Sequence, residues 1–333
     1  MSIGRRIALT WLFFGAAAVV ACLLAPLVGS TPISLRRVFD SSVPFADNAD
    51  AQIFFVARLP RVLAGALVGA SLAASGVVLQ ALLRNPLATP FTLGVSAGAA
   101  LGAMLALTFN LSSGIAGFSA VPIASFAGSL GAVAIVYGLA RARRRGLSTN
   151  VLLLAGVTLN SFFSALILFV QFLSDFTQTF RTVRWLMGDL DVSSYTPLMA
   201  ALPPIGLSFA AFAVLPRRMN LLSISDESAA SRGVDVHNTQ RLAFLSASLA
   251  TGAAVSLGGP VGFIGIVVPH LIRLMVGADH RLVLPASAFG GAAFLVACDT
   301  VSRTALSPLE IPVGVVTAII GGPFFLWLLI RNR

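Results

Sequence analysis

Along this chain apolar residues do not alternate with polar ones but run on in long blocks. Stretches free of Arg, Asp and Glu cover residues 7–35, 62–83, 85–140, 146–174, 192–216, 242–272, 282–298 and 311–330. A hydrocarbon core of roughly 30 Å takes about 20 helical residues to cross, so the blocks predict an all-α polytopic membrane protein. The 85–140 block has room for two crossings. The 242–272 block lies between arginines that belong on one side, so it crosses an even number of times, with SLGGPVGF (256–263) as its turn. The pattern predicts ten helices, at 7–28, 62–83, 91–109, 121–140, 151–173, 195–215, 242–257, 261–276, 282–297 and 311–330, in one transmembrane domain over 1–333.

Two blocks are interrupted. ALLRNPLATPFTLGVSAGA (81–99) carries an arginine, an asparagine, two prolines and two threonines inside an apolar run, and GGPVGFIGIVVPH (258–270) breaks a second run late in the chain. Pro90 pushes Thr89 into an extended conformation, and non-helical backbone at membrane depth survives only against protein or water. Paired breaks in two halves point to a transporter built from inverted repeats. Lipid supplies no hydrophobic drive for helix association, so small residues four apart mark close packing. Gly65, Gly69 and Ala73 form one such ridge, and Gly94, Gly98 and Gly102 another.

Composition acts mainly by exclusion. Of 333 residues 57% are hydrophobic and only 10% charged, and the mean hydropathy is +0.93. All 22 basic residues are arginine. The absence of lysine removes P-loop ATPases and Schiff-base or pyridoxal enzymes, whose chemistry needs that amine. Cys22 and Cys298 stand alone in apolar runs and read as core thiols. Arg5 and Arg6 ahead of a run ending in VVAC (19–22) resemble a signal peptide with a lipoprotein-type cleavage site. The run continues to Val28, which favours an uncleaved first span.

Basic residues near span ends are retained in the cytoplasm. With the N-terminus inside and the spans alternating, 15 arginines fall inside, RARRR (141–145) among them, and seven outside; counting acids, the balance is +11 against −1. Both termini are then cytoplasmic in a cell inner membrane, and the net charge of +10 describes topology, with no nucleic-acid partner. Two loops stand out, residues 30–60 outside and 216–241 inside. Within the second, SDESAASRG (225–233) starts like a capped helix, with Ser225 as N-cap, Asp226 and Glu227 in the first turn and Gly233 as the stop.

RLPR (58–61), GALVGASLAASGVVLQALLRNPLATPFTLGVSAGAALG (65–102), WLMGDL (185–190), GPVGFIGIVVPHLIRL (259–274), DHR (279–281) and EIPVGVVTAIIGGPFFLWLL (310–329) occur in this order along nearly the whole chain. Together they resemble the permease subunits of ABC importers for ferric siderophores, haem and cobalamin. The resemblance implies a type II importer permease that is not itself an enzyme and binds no cofactor. It implies a homodimer or paired heterodimer, resting on cytoplasmic ABC ATPase subunits that hold ATP and Mg. It also implies a periplasmic or lipid-anchored binding protein that delivers substrate to the outer face. By motif, docking to glutamates of that protein would use Arg58, Arg61 and Arg303, and coupling to the ATPase would use 226–236, with Asp226, Glu227, Ser231, Arg232 and Gly233. On the residues alone, Arg58 and Arg61 read first as interfacial anchors, Arg303 has Asp299 four residues earlier as a local partner, and 216–241 reads also as a solvated charged loop.

Gln80, Asn85, Thr89, Thr92, Ser96, Asn160, Ser164 and Gln171 are polar groups on or beside spans, where an unpaired group is costly. Gln80, Ser96 and Asn160 are the expected translocation-pathway residues. His237, His270 and His280 do not converge in sequence, so no metal site is expected, and the cargo would arrive already chelated. A secondary transporter or channel would need ionisable groups within spans, for which Asp299 and Glu310 at the outer ends are the nearest candidates. An intramembrane enzyme would need paired aspartates or HExxH, and neither occurs. The expected function is ATP-driven import of an iron chelate, with ferric siderophore first because of NPLATPFTLG, and haem or cobalamin as alternatives.

Overall fold

A computed structural model describes residues 3–111, 119–142, 149–192 and 194–331. The RARRR cluster falls outside the residues whose side chains are described. Every predicted stretch holds a helix. In chain order the helices are α1 (Ile3–Leu24), α2 (Ala49–Leu83), α3 (Val95–Thr108), α4 (Ala120–Ala142), α5 (Thr149–Phe172), α6 (Phe176–Leu186), α7 (Thr196–Val214), α8 (Pro216–Leu222), α9 (Asp226–Ser231), α10 (Val236–Gly258), α11 (Ile264–Val276), α12 (His280–Thr304) and α13 (Val313–Arg331). Seven of them, α1, α2, α4, α5, α7, α10 and α12, are long and apolar enough to cross a membrane, while α3, α11 and the 313–327 part of α13 are shorter apolar helices.

The boundaries differ from expectation where polar residues cap helices. α2 begins at Ala49 rather than 62, because Asn48 accepts the Ala51 amide at 3.0 Å and donates to the Arg37 carbonyl at 2.7 Å. It then runs through a π-helical turn at Ile53–Arg58, so the outer loop expected at 30–60 is helical over its second part. Asp235 likewise starts α10 before 242 by accepting the Asn238 amide at 3.0 Å. That bond also holds the Asp235 carboxyl below its ordinary range. In the 216–241 segment the short helices expected there are present as α8 and α9, and the first turns of α10 fall within it as well. The helix α6 was not expected at all. It lies past the 146–174 block, which Asp175 ends, and carries Arg181 and Arg184, yet Phe176, Phe180, Val183 and Met187 recur at helical spacing.

The buried post of the fold is α2, against which α10, α11 and α12 pack. Its glycine ridge explains the closeness: Gly69 lies against the Gly291 carbonyl of α12 with no room for a Cβ, and Gly76 meets Gly265 of α11 in the same way. The second ridge does this for the α3–α4 pair, with Gly98 against Gly128 and Gly102 against Ala124.

The expected helix at 91–109 is split. Arg84 ends α2 in the left-handed region at φ 48°, and the Asn85 amide returns to the Gln80 carbonyl at 3.1 Å. Asn85 then accepts the Leu87 amide at 2.9 Å, and Thr89 and Thr92 each accept the other's amide, at 3.4 and 3.2 Å. A 3₁₀ turn at Pro90–Leu93 and Gly94 precede α3. The polar groups that made this stretch look like a pathway therefore satisfy its own backbone. The two breaks meet: a Cβ on Gly265, just past the second break, would lie 3.8 Å from the Pro90 ring.

Candidate functional site

Functional groups gather at three levels along α2. At its first end, Arg58, Arg61 and Arg303 come together, all three buried, around an Asp299 that is 1% exposed. Arg61 donates from Nε to Asp299 Oδ1 at 2.9 Å and from Nη1 to Glu310 Oε2 at 2.7 Å. Arg303 takes the other Asp299 oxygen at 3.0 Å and reaches the Val28 carbonyl at 3.0 Å. Arg58 has no carboxylate partner among the described residues; it donates to the carbonyls of Pro26, at 3.0 Å, and Thr31. A cavity of about 290 Å³ opens over these groups beside Gly29 and Asp191. The sequence expects these arginines on one side and Asp299 as the local partner of Arg303, which the structure bears out; it does not reveal that Arg61 shares Asp299 or that Arg58 is bonded within the subunit. Asp299 and Glu310, the acids a secondary transporter would need, are both held in ion pairs with arginine.

Further along α2, three non-helical joints stack beside one another. The Asp189 amide donates to the Gly258 carbonyl at 3.0 Å, Gly188 at φ +84° lies against Gly314, and Gly258 lies against Val68 of α2. An open groove of about 600 Å³ runs over these joints, lined by Phe91, Met187, Pro260, Phe263 and Val315 with other apolar groups and glycines. None of the expected pathway residues lines it. Gln80 is spent inside the subunit, donating to the Gly265 carbonyl at 2.9 Å and accepting from Arg273 at 2.5 Å. Ser96 is buried, and its hydroxyl has no partner among the described residues. Asn160 is exposed on α5. The sequence signal for the groove was the glycine and proline content of WLMGDL, GGPVGF and EIPVG, not the polar side chains.

At the other end of α2 lies α9. Ser225 accepts the Ser228 amide at 2.9 Å, as its sequence predicts. Asp226, Glu227, Ser231, Arg232 and Gly233 are all exposed on this one element. Gly233 closes it at φ +80°, a conformation favourable only for glycine. Sequence reasoning missed the tie between this helix and the first break. Arg84 donates to the Leu222 carbonyl through Nε at 3.1 Å and Nη2 at 2.9 Å, and it pairs with Asp226. A second tie joins α8 to α12, where Asn220 donates to Asp279 at 2.7 Å and accepts the His280 amide at 2.9 Å. Arg281 holds the Asp279 carboxyl well below the usual carboxylate range, with help from Asn220. His237, His270 and His280 sit on three different helices. Among the described residues no three metal-binding side chains come together. From Arg58 to Arg84 the helix rises by about 39 Å at 1.5 Å per residue, so the arginine corner and α9 occupy opposite ends of the molecule.

The model of the FecCD transport family matches residues 17–331. Over 211 residues the chain is 39% identical to the hemin transport system permease protein HmuU of Yersinia pestis, covering 63% of each chain. Over 215 residues it is 45% identical to the cobalamin import system permease protein BtuC of Halobacterium salinarum, covering 63% of this chain and 56% of that one. The match thus spans less than two thirds of either relative's length. A solved structure described as an inward-facing metal-chelate type ABC transporter is 33% identical and superposes with a TM-score of 0.81, covering 96% of this chain and 98% of that one. A family match over nearly the whole chain, with breaks, corner and α9 disposed along one helix, leads to one conclusion: this chain belongs to the FecCD transport family.

Proposed function

We propose that this chain is the transmembrane permease subunit of an ATP-driven importer that moves an iron chelate, ferric siderophore first, across the cell inner membrane by alternating access. Hydrolysis belongs to separate ABC ATPase subunits, which bind ATP and Mg; this chain holds no cofactor of its own. The observation that carries the reading is the placement of an arginine corner and an exposed, glycine-stopped helix at opposite ends of α2, with the first helix break bonded to that exposed helix by Arg84. The corner is the binding-protein face. Arg58, which has no carboxylate partner among the described residues, would exchange its bonds to the Pro26 and Thr31 carbonyls for a glutamate of the partner, and Arg61 and Arg303 would share theirs with Asp299 and Glu310. Charge-assisted pairing of arginine with carboxylate gives such docking strength and direction. Asp226, Glu227, Ser231, Arg232 and Gly233 form the ATPase contact, and both termini are cytoplasmic.

The apolar groove over Met187, Phe263 and Val315 is open along one side, and a second permease copy facing it would complete a passage. The expected trio Gln80, Ser96 and Asn160 lends that passage no shared surface; Gln80 instead braces α2 against α11. Haem and cobalamin are the second reading, favoured by relatives that are named for hemin and cobalamin transport.

The test is reconstitution of the permease with its ATPase in liposomes. Radiolabelled ferric siderophore presented on its binding protein should accumulate only with ATP, and the loaded binding protein should stimulate hydrolysis. Accumulation driven by an ion gradient without ATP would overturn the importer reading. Accumulation of haem or cobalamin in place of the siderophore would move the substrate and keep the mechanism.

A further inference from the structure

At the α9 end of the molecule a cleft of about 760 Å³ opens between α1, α7, α8 and α12. Its size falls in the range of ligand clefts, roughly 300–1,000 Å³. Its walls are apolar, with Phe209, Phe212, Leu284 and Phe289 among them. Two guanidiniums, Arg217 and Arg281, line it from the first turns of α8 and α12, and the Trp11 indole lines it from farther along α1. Asp279 occupies the Nε and Nη2 groups of Arg281, at 3.0 and 2.7 Å, which leaves its Nη1 group outside that pair. Arg217 is exposed and makes no ion pair or side-chain hydrogen bond among the described residues. Arg6 bonds the Val276 carbonyl at 3.2 Å and so brings the start of α1 to the turn that precedes α12.

Arginines at the helix starts and aromatic and aliphatic side chains farther in reproduce the profile of a lipid, with charged headgroup at the surface and acyl chain beside Trp11 below. α1 itself supports this placement, because Leu12, Phe13 and Leu23 on its outer side are exposed to the extent of 61–70%, as lipid-facing residues are. An aqueous anion would find no reason for the aromatic walls, and a zwitterionic lipid would leave the surplus charge of Arg217 unanswered.

We infer that this cleft binds an anionic phospholipid of the bilayer, its acyl chain between α1, α7 and α12 and its phosphate between Arg217 and Arg281. The inference rests on the chain being membrane-embedded and is independent of what it transports. In the full-length chain purified in detergent, with Trp185→Phe and Trp327→Phe leaving Trp11 as the sole indole, titration uses phosphatidylglycerol with brominated acyl chains against brominated phosphatidylcholine. The phosphatidylglycerol should quench Trp11 at severalfold lower mole fraction. Arg217→Gln should weaken that quenching about fivefold, the effect of roughly 1 kcal/mol for one arginine at an anionic surface. Arg218→Gln, one residue away but off the cleft, should leave it unchanged. Equal quenching by both lipids, equal loss in the two variants, or displacement of the lipid by inorganic phosphate would each overturn the site.

Discussion

Asp299 is the residue on which the arginine corner turns. It is 1% exposed and takes Arg61 on one oxygen and Arg303 on the other. Removing one member of a buried ion network leaves the others charged and unpaired, at a cost of about 3–5 kcal/mol. Asp299→Ala should therefore lower the unfolding free energy by that amount in denaturant titrations of the detergent-purified chain. Glu310→Gln should cost much less, since the Glu310 side chain is 44% exposed and solvent can take over its role. Equal losses in the two variants would refute the central position given to Asp299. The sequence named all three arginines of this corner from their motifs. Their burial was not legible, because arginines at the end of an apolar span read as interfacial anchors, and only the fold shows α12 returning Asp299 to Arg61 across 238 residues.

Glycine contacts decide how the elements pack, and they separate into two kinds. A Cβ on Gly69 would overlap the Gly291 backbone, whereas one on Gly138 would meet nothing within 4 Å. Gly69→Ala should destabilise by about 1–3 kcal/mol through overpacking. Gly138→Ala should be neutral or stabilising by up to ~1 kcal/mol, since alanine is the better helix former. Thermal melting of the two variants side by side checks both. The ridges themselves were readable from small residues at spacing four, and so were the existence of every long apolar helix and the two breaks. Helix starts were not, because Asn48 and Asp235 cap from within polar segments that carry no hydrophobic period. The groove was missed for a related reason: it is built from the turns carrying Met187, Pro260, Gly262 and Gly314 and from apolar side chains, while polar side chains were the ones expected to line a pathway. Asn85, Thr89 and Thr92 proved to be local caps.

The tie between Arg84 and α8–α9 is also a property of elements, and it predicts a coupling defect rather than a folding one. Arg84 is exposed, as is Asp226, and surface pairs contribute at most about 1 kcal/mol. Arg84→Ala should thus leave stability within that margin but reduce substrate moved per ATP hydrolysed in the reconstituted complex. Gly233→Pro should likewise reduce that ratio by rebuilding the end of α9, since proline fixes φ near −65° where the chain needs +80° and removes the amide that bonds the Ala230 carbonyl. Normal stoichiometry in both variants would remove α9 from the coupling route.

On the scale of the whole molecule, one helix organises everything: α2 carries the arginine corner at one end, the groove beside its middle and the tie to α9 at the other. The alternation of arginine counts predicted that these ends face opposite sides of a membrane, and the fold places them about 39 Å apart along the helix. The direct measurement is sidedness in intact cells. With Cys22 and Cys298 replaced by serine, a single cysteine at Ser41, exposed in the segment before α2, or at Ser231, exposed on α9, is treated with a membrane-impermeant maleimide. The account predicts that Ser41→Cys is labelled in intact cells and Ser231→Cys only after permeabilisation; labelling of both from the same side would contradict it.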